Sequence, residues 1–207
     1  MFKDRKDAGE KLGIALQSYT DKHALVLAIP RGGAELGYEV AKAIHADFSL
    51  IICRKLPYPD NPESGFGAIA EDGSLYINQW AASSLPDKVI HQIIDQQIEE
   101  IKRRIMILRG GKPLPSLNNK TVILVDDGIA MGSTMHAAIS LCKKQHAGRI
   151  IVAVPVAAMR AIEEFSQIVD EIVVLESPAN FHAVAQVYEN WYDVSDEEVL
   201  EICKRDL

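Results

Sequence analysis

The sequence predicts an α/β fold of three layers, α/β/α, around a mainly parallel central sheet. Three observations carry this. Five short apolar runs, at 24–29, 48–53, 122–125, 149–156 and 170–176, have the length and content of buried strands. Stretches of helical periodicity stand between them. Two of the runs also end in glycine-bearing turns, Pro30-Arg31-Gly32-Gly33 and Asp126 to Gly132, that lead straight into a helix.

Each element has its own justification. Residues 4–18 place Ala8, Leu12, Ala15 and Leu16 on one helical face. The run 24–29, Ala-Leu-Val-Leu-Ala-Ile, is a strand, and a helix follows its turn to about Ile44. The run 48–53 is the next strand, with the basic pair Arg54-Lys55 directly after it. Residues 56–67 hold three prolines and two glycines and read as loop. Ala68–Glu71 and Ser74–Ile77 flank Asp72-Gly73, a two-residue hairpin signal. Ser84 and Pro86 start a long helix to about Leu108, with Ile90, Ile94, Ile98, Ile101, Ile105 and Leu108 in one stripe; Gly110-Gly111 ends it. This helix reads either as a cover over the core or as a subunit contact. A helix near 158–166 separates the last two strands. Ser195 to Glu198 is a capping box opening a last helix, 195–205, with Val199, Leu200 and Cys203 inward. No repeat or linker divides the chain, so one domain over 1–207 is expected.

Composition sets limits. The chain has 207 residues, 48% of them hydrophobic, enough for a sizeable core. A formal net charge of −7 argues against a general nucleic-acid-binding surface, which needs basic stripes. No apolar run approaches the roughly 18 residues of a spanning helix, and the charged start, Met-Phe-Lys-Asp-Arg-Lys-Asp, has no signal-peptide apolar region. Cys53, Cys142 and Cys203 are widely spaced and odd in number, fitting neither a disulfide framework nor a zinc site. A cytoplasmic protein without membrane attachment is the expectation.

The stretch that carries chemistry is Val-Ile-Leu-Val-Asp-Asp-Gly-Ile-Ala-Met-Gly-Ser-Thr-Met, residues 122–135. Asp126 and Asp127 sit at the C-terminal edge of a buried strand, where open parallel sheets bind ligands. Gly128 to Gly132 form a short loop, and Ser133 and Thr134 open a helix whose unpaired N–H groups and dipole suit a phosphate. The pattern is not a Walker loop, because it is too short and no Lys precedes Ser133. The first turn repeats the arrangement: Gly32 and Gly33 permit close backbone approach, and Arg31 adds a planar cation. By residue type alone that turn also reads as a plain strand–helix connection, and Arg54-Lys55 as solvated surface.

The stretch from Val122 to Thr134 resembles the phosphoribosyl pyrophosphate (PRPP) motif of type I phosphoribosyltransferases. Arg31-Gly32-Gly33 is similar to that family's pyrophosphate loop, and Arg54-Lys55 to a basic pair some members place there. Glu176-Ser-Pro-Ala-Asn-Phe181 resembles the hood of hypoxanthine–guanine members, about 175–193 here. The resemblance implies a flexible hairpin loop over the reacting centre and a small C-terminal hood. It implies transfer of 5-phosphoribosyl from PRPP to a nitrogen nucleophile with release of pyrophosphate, in a homodimer using Mg²⁺. By it, Asp126, Asp127, Arg31 and Lys55 are catalytic. The PRPP site is Arg31, Gly32, Gly33, Arg54, Lys55 and the run Asp126, Asp127, Gly128, Ile129, Ala130, Met131, Gly132, Ser133 and Thr134. Asp126 and Asp127 meet the metal directly or through water or ribose hydroxyls. Phe181 would stack on the base with His182 beside it, though a core role for Phe181 stays open; His136 and His182 read more readily as non-catalytic. Two departures argue against a 6-oxopurine acceptor: Ala130 stands where hypoxanthine-type members carry an acid, and strand 149–156 has no Lys. Met131 replaces a common Thr. The other reading is a PRPP- or nucleotide-binding regulator without turnover.

Overall fold

The computed structural model describes residues 1–207. Five strands form the expected parallel sheet: β1 (Leu25–Ala28), β2 (Asp47–Leu50), β6 (Thr121–Val125), β7 (Arg149–Val156) and β8 (Glu171–Glu176), in the order β2-β1-β6-β7-β8. Every neighbouring pair is parallel. From β1 the chain moves outward one way through α2 (Gly33–Ile44) to β2, and from β6 the other way through α5 (Ser133–Lys144) to β7. The adjacent strands β1 and β6 therefore flank the point where strand order reverses, where a crevice opens beyond the strand ends.

Alternation along the central strands divides the core. Leu25 and Leu27 of β1 join Val122 and Leu124 of β6 beneath α5 and α6 (Met159–Ser166). Val26, Ile123 and Val125 face the other way, beneath α1 (Arg5–Ala15) and α2. These are the three layers. No helix is long and apolar enough to cross a membrane.

A second sheet corrects the middle of the sequence reading. The run 48–53 is not one strand: β2 ends at Leu50, and Cys53 begins β3 (Cys53–Tyr58). Residues 56–67, expected as loop, lie largely in β3 and β4 (Asn61–Ala70), with β5 (Leu75–Ile77) completing an antiparallel sheet. The prolines mislead because the outer part of this sheet is irregular: the register shifts on both sides of Pro57, and Pro62 lies at the exposed start of β4. The Asp72-Gly73 hairpin turn is where the sequence puts it, between β4 and β5. A short helix, α3 (Gln79–Ala82), capped by Asn78, adds an element that periodicity does not reveal.

Helix α4 (Asp87–Arg109) ends on Gly110 at φ 58° and covers this second sheet, burying Ile93, Ile101 and Leu108 against Leu56, Phe66 and Ile69. Its last residue, Arg109, pairs with buried Glu71, and Glu71 accepts the Ile52 N–H at 2.9 Å. This tie fixes the helix to the junction between the sheets. The last helix, α7 (Asp196–Cys203), has its Ser195–Glu198 capping box; Val199 and Ile202 are buried, whereas Cys203 is exposed.

Candidate active site

The turns after β1 and β6 are built against each other. The Ile29 N–H donates to the Val125 carbonyl at 2.9 Å, continuing the ladder past both strand ends. A Cβ on Gly32 would stand 2.0 Å from Asp127 Oδ2, and one on Gly33 would stand 2.8 Å from the Val125 carbonyl oxygen and 3.3 Å from Asp126 Oδ1. The paired glycines of the first turn are thus the floor on which the paired acids of the second lie. Asp126 Oδ1 accepts the Asp127 N–H at 2.9 Å. Burial raises the Asp126 carboxyl well above its usual range, with the Asp127 charge the next cause. Burial raises Asp127 too, against the opposing pull of Arg5.

Arg5 belongs to this site although no motif contains it. Its Nε and a terminal nitrogen both lie 3.0 Å from Asp127 Oδ2, the other terminal nitrogen donates to the Tyr192 carbonyl at 2.9 Å, and its guanidinium stands 4.0 Å over the Trp191 ring. Tyr188 donates its hydroxyl to the Asp127 carbonyl at 2.8 Å. The first residues hold this cover in place, with the Phe2 N–H on the Val187 carbonyl at 2.7 Å and the Glu189 N–H on the Phe2 carbonyl at 2.9 Å. A signal for Arg5 exists in the sequence: it stands on the same helical stripe as Ala8 and Leu12, an arginine where an apolar residue is due.

The loop 128–134 separates into framework and donors. Ile129 is buried, its N–H donates to the Val156 carbonyl at 2.9 Å, and its carbonyl accepts from Ala158 at 3.0 Å. It therefore fastens the loop to β7 and has no donor left for a ligand, contrary to the expectation that placed it among the PRPP contacts. Gly128 packs under Val156 and Val184, where a Cβ would be 2.7 Å from each. Gly132 has φ 74°, and a Cβ there would meet the Phe165 ring at 2.7 Å. The N–H groups of Met131, Gly132, Ser133 and Thr134 donate to no protein acceptor outside the helix. Unpaired at the N-terminus of α5, alongside Ala130 and the largely exposed Met131, they have the chemistry of an anion cradle.

On the other side of the acids lies a cavity of about 260 Å³, lined by Arg31, Gly32, Arg54, Arg104, Asp127 and Trp191 among others. Arg54 and Lys55 are successive residues of β3 and point to opposite faces. Arg54 reaches the cavity, its Nε held by Gln97 at 3.2 Å; Lys55 donates to the Glu63 carbonyl across the hairpin and does not join the cluster. A larger cavity, about 510 Å³, opens among α1, α2 and α7, but its lining mixes five acids with three basic residues and includes neither glycine turn.

Phe181 is half-buried and packs against the core under α1 and α2, as Leu175 and Val184 also do. His182 is exposed, and its N–H donates to Gln186 Oε1 at 2.6 Å. His136 is buried behind the cradle and points to Glu164, so it does not face the crevice. No three His, Cys, Asp or Glu residues gather as a metal cage. The fit for a divalent cation is one held by hard oxygens of a bound ligand and water, with Asp126 and Asp127 nearby.

A family model for the phosphoribosyl transferase domain matches residues 5–190. Two curated proteins of Mycobacterium tuberculosis, from strains CDC 1551 and H37Rv and each provisionally named a phosphoribosyl transferase, are 36% identical over 207 residues, covering 99% of this chain and 47% of theirs. The chain thus spans about half the length of these relatives. The crystal structure of TT1426 from Thermus thermophilus matches with a TM-score of 0.81 at 33% identity, covering 98% of this chain and 97% of that one. AQ2163 from Aquifex aeolicus, with a TM-score of 0.51 at 16% identity over 83% of this chain and 73% of that one, shares the fold.

Proposed function

The chain belongs to the phosphoribosyl transferase domain family, and from that premise we propose that it transfers the 5-phosphoribosyl group of PRPP to a nitrogen nucleophile, a nucleobase or another amine, and releases pyrophosphate. One observation carries the reading. An acid pair lies between an uncharged cradle of N–H groups at Met131–Thr134 and a guanidinium-lined cavity at Arg31 and Arg54. That order fits a ligand with a monophosphate at one end, a diol in the middle and a diphosphate at the other.

In the proposed reaction the bond from C1 to the diphosphate oxygen breaks, and diphosphate leaves with the electron pair. A C1–N bond forms, and the nitrogen loses its proton. The transition state has oxocarbenium character, as in glycoside hydrolysis. The protein's part is positioning and electrostatics. Asp126 and Asp127 hold the ribose hydroxyls and favour the cation beside them. Arg31, Arg54 and the Gly32-Gly33 backbone receive the charge growing on the leaving group. The cradle anchors the 5′-phosphate, and Phe181 with His182 borders the acceptor. Mg²⁺, when bound, neutralises diphosphate charge.

A second reading has a specific observation behind it. Arg5 already occupies the Asp127 carboxylate under a cover of Trp191 and Tyr192. A protein that binds PRPP as a signal, without turnover, would tolerate such an arrangement. Diphosphate release with PRPP, Mg²⁺ and a panel of nucleobases and amines separates the two. Release with one acceptor supports the transferase; tight PRPP binding with no release across the panel supports the regulator. Calorimetric titration of PRPP with Mg²⁺ and again with EDTA should give much weaker binding without the cation, and equal affinities would count against both readings.

A further inference from the structure

Helix α4 has no part in the proposed transfer, yet it carries Arg104 into the cavity beside Arg31 and Arg54. We infer that Arg104 is a binding residue for the diphosphate end of the ligand, completing with Arg31 and Arg54 a three-guanidinium site that Lys55 does not enter. The identity of that ligand rests on the transferase reading; the anion site itself rests on the following geometry.

The Arg104 side chain is only 8% exposed. Its Nε is held by Glu100 at 2.9 Å, and its two terminal nitrogens make no hydrogen bond to protein. Arg54 is arranged the same way, with Nε on Gln97 and both terminal nitrogens unmatched. Arg31 has only a long contact, 3.7 Å, to Asp196. Three planar cations thus present unpaired donor pairs to one open cleft. Two acids line that space: Asp127 is already paired with Arg5, and Asp193 is paired with none of the three arginines. Gathering like charges around the buried Arg104 and half-buried Arg54 is unfavourable unless an anion arrives. The strain is visible in Arg54, whose guanidinium is held below its usual range by burial first and by Arg104 next. Guanidinium forks match phosphate oxygens two at a time, and hydrogen bonds between charged partners are the strong ones. A single orthophosphate carries too little charge to balance three such groups; a diphosphate matches them.

The test is calorimetric titration of the full chain with inorganic diphosphate and, separately, ribose 5-phosphate, using wild type, Arg104→Met and Arg104→Lys. Glu100 keeps both its Arg103 contacts, at 2.7 and 2.9 Å, so removing Arg104 leaves no lone carboxylate. Arg104→Met should weaken diphosphate binding about tenfold or more, Arg104→Lys should fall between it and wild type, and ribose 5-phosphate affinity should not move. Near-UV circular dichroism checks the fold; if the Met variant is unfolded, the Lys variant decides by the same comparison. Diphosphate affinity within twofold of wild type in a folded variant overturns the assignment and leaves the transferase reading standing. Wild type that binds diphosphate through Arg104 but does not bind ribose 5-phosphate overturns the transferase reading and leaves the anion site. A wild type that binds no diphosphate overturns both.

Discussion

The two ends of the crevice proposed to receive phosphate groups are built by opposite means. The cradle comes from one continuous segment, uses main-chain N–H groups and a helix end, and carries no charged side chain between Gly128 and Thr134. The cavity on the far side of the acids uses side-chain charge, and its arginines come from α1, the first turn, β3 and α4, with Trp191 from the hood. Fixed dipoles suit a dianion that stays put throughout a reaction. Multiply donating cations suit a group whose charge grows as it leaves. Asp126 and Asp127 belong to both ends, lying on the glycines of one turn and beginning the loop of the other.

The largest effect should come from removing what the two ends share. Changing Asp126 and Asp127 together to Asn removes the charge that favours an oxocarbenium-like state, and kcat/KM for diphosphate release should fall about 100-fold or more, ~3 kcal/mol. The two acids differ in what they do for stability. Asp126→Asn keeps a side-chain oxygen for the Asp127 N–H. Asp127→Asn strands the Arg5 guanidinium, which is as buried as the core around it, and should cost roughly 3 kcal/mol of unfolding free energy. Arg5→Met combined with Asp127→Asn should recover most of that stability and none of the activity. Wild-type kinetics in the double Asn variant would remove both acids from the chemistry.

The next effect separates the ends. Gly132→Ala forces a side chain to adopt φ 74° and drives its Cβ into Phe165, a backbone strain of about 1–3 kcal/mol. Ribose 5-phosphate affinity should drop about tenfold while inorganic diphosphate binds as before. Arg31→Met should do the reverse. If both variants weaken both ligands alike, the two ends are one site and the contrast between them fails.

The same contrast explains what could be read from the sequence. The parallel sheet, both glycine turns, the acid pair and the cradle all lie within short segments, where residue order is geometry. The second sheet is hidden because Pro57, Pro59, Pro62, Gly65 and Gly67 mark turns by type, whereas here they sit in an irregular hairpin that still pairs β3 with β4. Arg54 and Lys55 read as a unit because they are adjacent, but adjacency on a strand means opposite faces. Arg5 and Arg104 are hidden by distance: one lies 122 residues from Asp127, and the other meets Arg31 only through the packing of α4. Each nonetheless has the same local mark, a charged residue on an otherwise apolar stripe beside Ala8 and Leu12 or Ile101 and Leu108. Ile129 shows the converse error, since a residue inside a motif can be spent on holding the motif to its neighbour.

A smaller effect concerns the hood. Phe181→Ala should raise KM for the acceptor about tenfold if the ring stacks on it, a contact worth roughly 1–3 kcal/mol in comparable sites. PRPP affinity should be unchanged, because the contacts proposed for that ligand, in the two turns and at Arg54 and Arg104, do not include Phe181. The half-buried packing of Phe181 against the core under α1 and α2 supplies the competing outcome. A fall in thermal midpoint together with equal losses for PRPP and acceptor would make the residue a strut for the hood instead.

The smallest effect is a pH dependence placed behind the cradle, where the contrast between the two building methods is most exposed. His136 stacks on Tyr76 with ring centroids 4.1 Å apart, tilts against Phe165 at 4.6 Å, and points Nε2 at Glu164 from 2.8 Å. Burial holds its pKa below the usual 6.5; Glu164 pulls the other way and Lys143 adds to the lowering. Glu164 loses this contest because its side chain is 44% exposed and water screens it. A depressed histidine means that the unfolded chain binds the extra proton first. Stability is therefore full above pH 6.5 and declines as pH falls through the window between 6.5 and the lower folded value. His136→Gln, neutral throughout and still able to donate to Glu164, should flatten that decline, seen in urea midpoints at about pH 7.5 and at steps of pH below 6.5. Phe165 is also the ring under Gly132, so ribose 5-phosphate affinity should weaken at the acid end in wild type more than in His136→Gln, while diphosphate binding to the arginine cavity follows the same course in both. An equal acid loss of ribose 5-phosphate in the two proteins would place the proton on the ligand and leave the cradle, a structure of main-chain donors alone, indifferent to pH.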